Sequence, residues 1–133
     1  MKIGLLYNKV ESLHLTKNEG TNNSEDNVFE IDFKVFYPQS EVDKFHIIFD
    51  LHIVHPNDFD LRAKYMSVFS TSSPIDGEFK KSPFTLINAP AIAFPFVRSF
   101  VATITLNSGF NPAILPSINF LEFKNMRNKK IHE

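Results

Sequence analysis

The chain has 133 residues and a mass of 15.3 kDa, enough for one domain with one ordinary core. Lys plus Arg (14) nearly equals Asp plus Glu (15), a net charge of −1, which argues against nucleic-acid binding driven by a bulk basic surplus. There is no cysteine, so a disulfide framework, a thiolate zinc site and a cysteine nucleophile are excluded.

Apolar residues make up 43% of the chain, too many for a disordered segment. The opening stretch MKIGLLYNKVESLHL lacks a small-residue cleavage pattern and is not read as a signal peptide. No apolar run is expected to approach the roughly 18 to 20 residues of a bilayer span. The expectation is a soluble cytoplasmic domain without membrane insertion. The chain has 15 Phe and no Trp. Rings without a polar handle are expected in a Phe-rich core, or on a surface that meets apolar ligands or chain segments.

In chain order, the first candidate strand is 3–10, less cleanly alternating than the others. Residues 16–27 (TKNEGTNNSEDN) are polar and patternless, and are expected to form a mobile surface loop. Over 28–37 the apolar side chains Phe29, Ile31, Phe33, Val35 and Tyr37 alternate with polar ones, the period of a half-buried strand. Over 45–54 the face Phe45, Ile47, Phe49, Leu51 and Ile53 is apolar, and the opposite face is mixed. His55-Pro56-Asn57-Asp58 ends that run. Residues 63–70 carry bulk on both faces. Four strands in series with short connections suggest a meander or a related antiparallel sheet.

Beyond Gly77 the texture changes. Phe96, Val97, Phe100, Val101 and Ile104 recur at helical spacing over 95–107, with Pro95 suited to the first turn and Ser108-Gly109 to the stop. The helix carries one charge, Arg98, so most of its circumference should be covered, in part by a second subunit. A homo-oligomer, dimer or dimer of dimers, is expected, with Val97, Phe100, Val101 and Ile104 at the interface. Residues 110–117 are too proline-rich for helix and read as an apolar extended loop. Asn119 can cap a final helix bearing Phe120, Phe123 and Met126.

Residues 88–120 read NAPAIAFPFVRSFVATITLNSGFNPAILPSINF. The run Pro90, Ile92, Phe94, Pro95, Phe96 and Arg98, then Gly109 and Phe110, then Pro116, Asn119 and Phe120 resembles the SecB family of bacterial protein-export chaperones. The resemblance implies an α+β fold: a four-stranded antiparallel sheet with one long helix and a short C-terminal helix, the whole of 1–133 forming one SecB-like domain. It implies an ATP-independent holdase that is no enzyme, needs no cofactor, and acts in protein transport. Its partners would be unfolded or precursor polypeptides. They would lie in grooves lined by Phe94, Phe96, Phe110, Ile114, Leu115, Ile118 and Phe120.

Export-type members end in a tail with cysteine and histidine that docks on the SecA motor, and they show acidic residues on the outer sheet face. This chain ends Ile131-His132-Glu133 without cysteine, and 63–70 contains no acid. That motivates an alternative: a binding module dedicated to one partner, such as an antitoxin, without SecA-coupled export.

Other chemistries find little support. His46, Asp50 and His52 share a strand face, but His55 falls on the opposite one, poor geometry for a metal, and no metal is assigned. Asp58 and Asp60 read as turn residues, the four glycines form no phosphate loop, and no nucleophile elbow occurs. The basic residues Lys80, Lys81, Lys124, Arg127, Lys129 and Lys130 do not interleave with aromatics as nucleic-acid stacking platforms do.

Overall fold

A computed structural model describes residues 1–18 and 27–132. The connection 19–26, which holds most of the expected loop, and the basic side chains beyond Met126 lie outside the described residues.

Four strands form one antiparallel sheet: β1 (Ile3–Lys17), β2 (Val28–Phe36), β3 (Lys44–His55) and β4 (Phe59–Thr71). The order across the sheet is β1-β4-β3-β2. Strands β2, β3 and β4 are a meander, as short connections favour, but β1 pairs with β4 instead of β2. Two strands exceed their expected bounds. β1 runs on past Val10 because register shifts between Leu5 and Tyr7 and between Val10 and Ser12 change its phase, which hides the alternation from a simple count. β4 begins at Phe59, straight after the Pro56 turn, so Asp60 is a strand residue and not a turn residue.

The alternation of β3 sorts the sheet into two faces. Phe45, Ile47, Phe49, Leu51 and Ile53 are buried in the core with Phe59, Leu61, Ala63 and Phe69 of β4. Phe45 and Phe69, cross-strand partners, stack with ring centres 5.2 Å apart. Bulky pairs of this kind stabilise a sheet beyond their burial alone.

Three helices cover the core face. α1 (Gly77–Lys81) is capped by Asp76, whose side chain accepts from the Phe79 backbone N–H at 2.8 Å. A wider π-helical turn (Phe84–Asn88) leads directly into α2 (Ala89–Asn107). The proline of the first turn is therefore Pro90, and Pro95 lies inside the helix, a correction to the expected start at 95. Pro95 and Ala91, whose carbonyl it leaves without its usual partner, are both exposed, so water can take up the carbonyl. The continuous helical path Phe84–Asn107 spans 24 residues with Arg98 as its one charge, long and apolar enough by length and composition to cross a bilayer. The expectation that no run reaches that length is thereby corrected. In this fold α2 buries Ala93, Phe94, Val97 and Val101. α3 (Phe120–His132) closes the chain, its first N–H groups capped by Asn119 Oδ1 at 3.1 and 3.2 Å.

Candidate functional site

Along α2, successive residues turn by about 100°, so a helix on a sheet keeps a buried side and an outward side. Ala93, Val97 and Val101 point to the sheet and are fully buried. Arg98 and Thr105 flank one edge of that buried stripe, while Ile92 and Phe96 flank the other. Phe96 is 47% exposed, and Ile92 and Leu106 are exposed as well. With Ala91, Pro95, Ser99 and Thr103 they complete an outward surface that carries no charge. Phe100, half-buried, joins it to the core through Tyr65, ring centres 5.2 Å apart.

The 108–119 loop is fastened to the other edge of α2. Gly109 at the helix end has φ +92°, a left-handed conformation that costs other residues energy. The Phe110 N–H then donates to the Thr105 carbonyl at 3.1 Å. The Thr105 hydroxyl donates to the Val101 carbonyl at 2.7 Å and accepts from the Ala113 N–H at 2.9 Å. Arg98 Nε donates to the Leu115 carbonyl at 3.1 Å. These bonds turn Ala113 and Leu115 inward and leave Ile114 outward, 65% exposed.

The seven expected groove residues are therefore divided. Phe94, Leu115 and Phe120 sit in the chain's own core. Phe120 packs edge-on against Phe33 and Phe94, both ring-centre distances 5.7 Å. Phe110 and Ile118 are half-buried, Phe110 against Phe59 at 5.3 Å. Phe96 and Ile114 are open, but on opposite edges of α2, so the seven do not line one groove within a single chain. Of the expected interface residues, Val97 and Val101 are buried against the chain's own sheet, and Phe100 and Ile104 are half-buried. The helix start at 95 concealed Ile92. Extending the apolar period by one turn to Ala89 would have revealed it.

The sheet face away from the helices carries a second set of groups. His52 on β3 lies between Asp60 Oδ1 (3.1 Å) and Glu30 Oε2 (3.5 Å), and Arg62 Nε is 4.0 Å from the same Asp60 oxygen. With Asp32 and Asp50 this face carries carboxylates on β2, β3 and β4, so the absence of acids inferred from 63–70 does not describe it. Beside them is a recess of about 820 Å³ that crosses all four strands and reaches Phe123 and Met126. His55 is on the core face, stacked on Phe59 at 4.6 Å. Among the described residues, no three or more His, Cys, Asp or Glu are grouped to hold a metal ion. Toward the end of β2 and the start of β1 the same face turns apolar, with Phe36 against His46 at 5.5 Å. Burial lowers the pKa of His46, against the opposing pull of Glu41 and Glu11.

The described residues form an antiparallel sheet with one face under a long helix whose one charge is Arg98, and this is the fold of a SecB-like chaperone. A solved SecB-like chaperone of Mycobacterium tuberculosis, in complex with a ChAD peptide from the HigA1 antitoxin, has this fold. Its TM-score is 0.67 at 10% identity, over 87% of each chain. A Streptococcus agalactiae protein of unknown function shares it, with a TM-score of 0.57 at 15% identity over 88% of this chain and 98% of that one. The family model described as preprotein translocase subunit SecB matches residues 8–130, well beyond the 88–120 motif, and the chain belongs to that family.

Its relatives include an uncharacterized protein of Methanocaldococcus jannaschii, 36% identical over 67% of this chain and 59% of that protein. The protein-export protein SecB of Anaplasma phagocytophilum is 42% identical over 47% of this chain and 40% of that protein. The chain thus matches between about two-fifths and three-fifths of the length of these curated relatives.

Proposed function

We propose that the chain is an ATP-independent holdase, one SecB-like domain working in the cytoplasm, that binds apolar segments of unfolded or precursor polypeptides. The observation that carries this reading is the uncharged outward flank of α2, Ile92, Phe96, Phe100 and Leu106. A non-native segment laid against it loses water from both surfaces, at about 25 cal/mol per Å² of apolar area. Ile114 on the far edge adds a second small patch, and several weak patches act together through effective concentration. No catalytic step is part of this reading, in keeping with family membership.

The same flank supports self-association. Ile92, Phe96 and Leu106 leave an exposed apolar strip along a 19-residue helix, and two-fold pairing would cover part of it. A dimer or dimer of dimers is expected, its contact on Ile92, Phe96, Phe100 and Ile104, not on Val97 and Val101. Groove walls that one chain cannot supply would then come from two. Aggregation of a chemically unfolded client, followed by light scattering, tests the reading. Stoichiometric protein should suppress the scattering, and Phe96→Asp should lose most of that effect with its circular dichroism unchanged. Parent protein that leaves aggregation unaltered overturns the proposal.

A second reading is a module dedicated to one partner, such as an antitoxin, without SecA-coupled export. The solved fold neighbour holding an antitoxin peptide favours it. Affinity capture from native lysate separates the two. One dominant partner supports the dedicated module, and a broad set of precursors supports the holdase.

A further inference from the structure

The open face of the sheet has a regular charge and apolar pattern that becomes clear when its residues are placed in rows across the strands. One row is Phe36, His46, Val68 and Tyr7, in the order β2, β3, β4, β1. Another is Asp32, Asp50, Lys64 and Ser12, and beside it lies Glu30, His52, Arg62 and His14. The acids of these two charged rows are on β2 and β3, while Arg62 and Lys64 are on β4. In the apolar row Phe36 and Tyr7 are 50% and 53% exposed at its two ends, and Val68 between them is buried.

The strand order β1-β4-β3-β2 is symmetric about the gap between β4 and β3. A two-fold axis lying along the strands over that gap exchanges β4 with β3 and β1 with β2, and leaves every row in place. It sets Asp50 of one copy against Lys64 of the other, Glu30 against His14, and Phe36 against Tyr7. We infer that the open sheet face is a docking surface for a second copy of this chain, stacked face to face about this axis. Three pairings are not attractive: Lys34 with Lys9, which meet at the solvated rim, Asp60 with Val54, and His52 with Arg62. In the last, each group already lies within 4.0 Å of the Asp60 carboxylate of its own chain.

The area sets the strength of the contact. Four strands about 4.8 Å apart, overlapping over nine residues, offer on the order of 500 Å² per face. That is below the roughly 800 Å² per partner of a standard stable interface, so the stack forms weakly and is suited to joining units already paired elsewhere. It uses the face opposite α2, and it stands or falls independently of client binding there.

The chain has no cysteine, so single cysteines report cleanly. Chains carrying Phe36→Cys and Tyr7→Cys are mixed, one of them isotopically labelled, and treated with a bis-maleimide whose reach is about 10 Å, the spacing of stacked sheets. The expected product is a covalent dimer with one chain of each kind. Either chain alone should give at least about tenfold less, because like positions lie about 17 Å apart across the axis. No mixed product, or equal products from the chains alone, overturns the inference. So does preferential cross-linking to an added unfolded polypeptide, which would assign the face to clients.

In the same chains, Asp50→Lys and Lys64→Asp should each abolish the mixed product, and combining one with the other should restore it. The repulsion each creates within its own chain persists in that mixture, so restoration reports the contact between chains. If circular dichroism finds either charge variant unfolded, the cysteine pair alone decides.

Discussion

Thr105→Val removes one hydroxyl from the joint between α2 and the 108–119 loop, and its effect can be worked from the surroundings. Thr105 and Ala113 are both fully buried. The hydroxyl accepts from the Ala113 N–H at 2.9 Å, so an isosteric valine strands that amide where water does not reach. A buried donor left without a partner costs about 1–3 kcal/mol. Taking about 2 kcal/mol and a urea slope near 2 kcal/mol per molar, the unfolding midpoint should fall by about 1 M. Exchange of the Ala113 amide through local opening should quicken by about 30-fold, the same energy read as a population. Thr105→Ser keeps the hydroxyl and loses one buried methyl, about 1 kcal/mol, and should be the milder variant. Urea titration with amide exchange measures both. An unchanged midpoint for Thr105→Val, or a larger loss for Thr105→Ser, would refute the assignment of this hydroxyl as the pin of the loop.

Phe45→Ala opens the core beneath the stacked Phe69 ring and should cost about 3–5 kcal/mol in chemical denaturation, enough to threaten the fold of a marginally stable domain. Asp76→Ala removes the acceptor for the Phe79 N–H and should cost about 1 kcal/mol, with Asp76→Asn recovering most of it. Burial holds the folded-state pKa of His46 below the ordinary 6.5, so the unfolded chain takes up the proton first. Its contribution to stability is complete above 6.5 and is lost as pH falls through and below that value. His46→Gln should flatten this part of the stability profile, as thermal unfolding across a pH series will measure.

Much of the architecture is written in local periods. The strict alternation of Phe29 to Val35 and of Phe45 to Ile53 determines β2, β3 and the inward face of each, because a period of two leaves a strand only one way to bury its apolar side. Asn119 determines the start of α3, and Gly109 the end of α2, because each satisfies helix ends by local chemistry. The proline and phenylalanine spacing of 88–120 was enough to indicate the family.

What the sequence could not decide was every feature that depends on distant partners. The pairing of β1 with β4 brings Leu15 beside Leu61, and no local pattern encodes a contact between strands so far apart. The bulges of β1 break its period, so its length emerges only once β4 is there to pair with. Pro95 marked a helix start by local rule, yet the preceding turns were already held helical by packing, and tertiary contact outweighed the loss of one hydrogen bond. The division of the Phe residues also belongs to the tertiary structure. Phe94 and Phe96 are the same in type and two apart in sequence, but about 200° of helical rotation sends one into the core and leaves the other exposed.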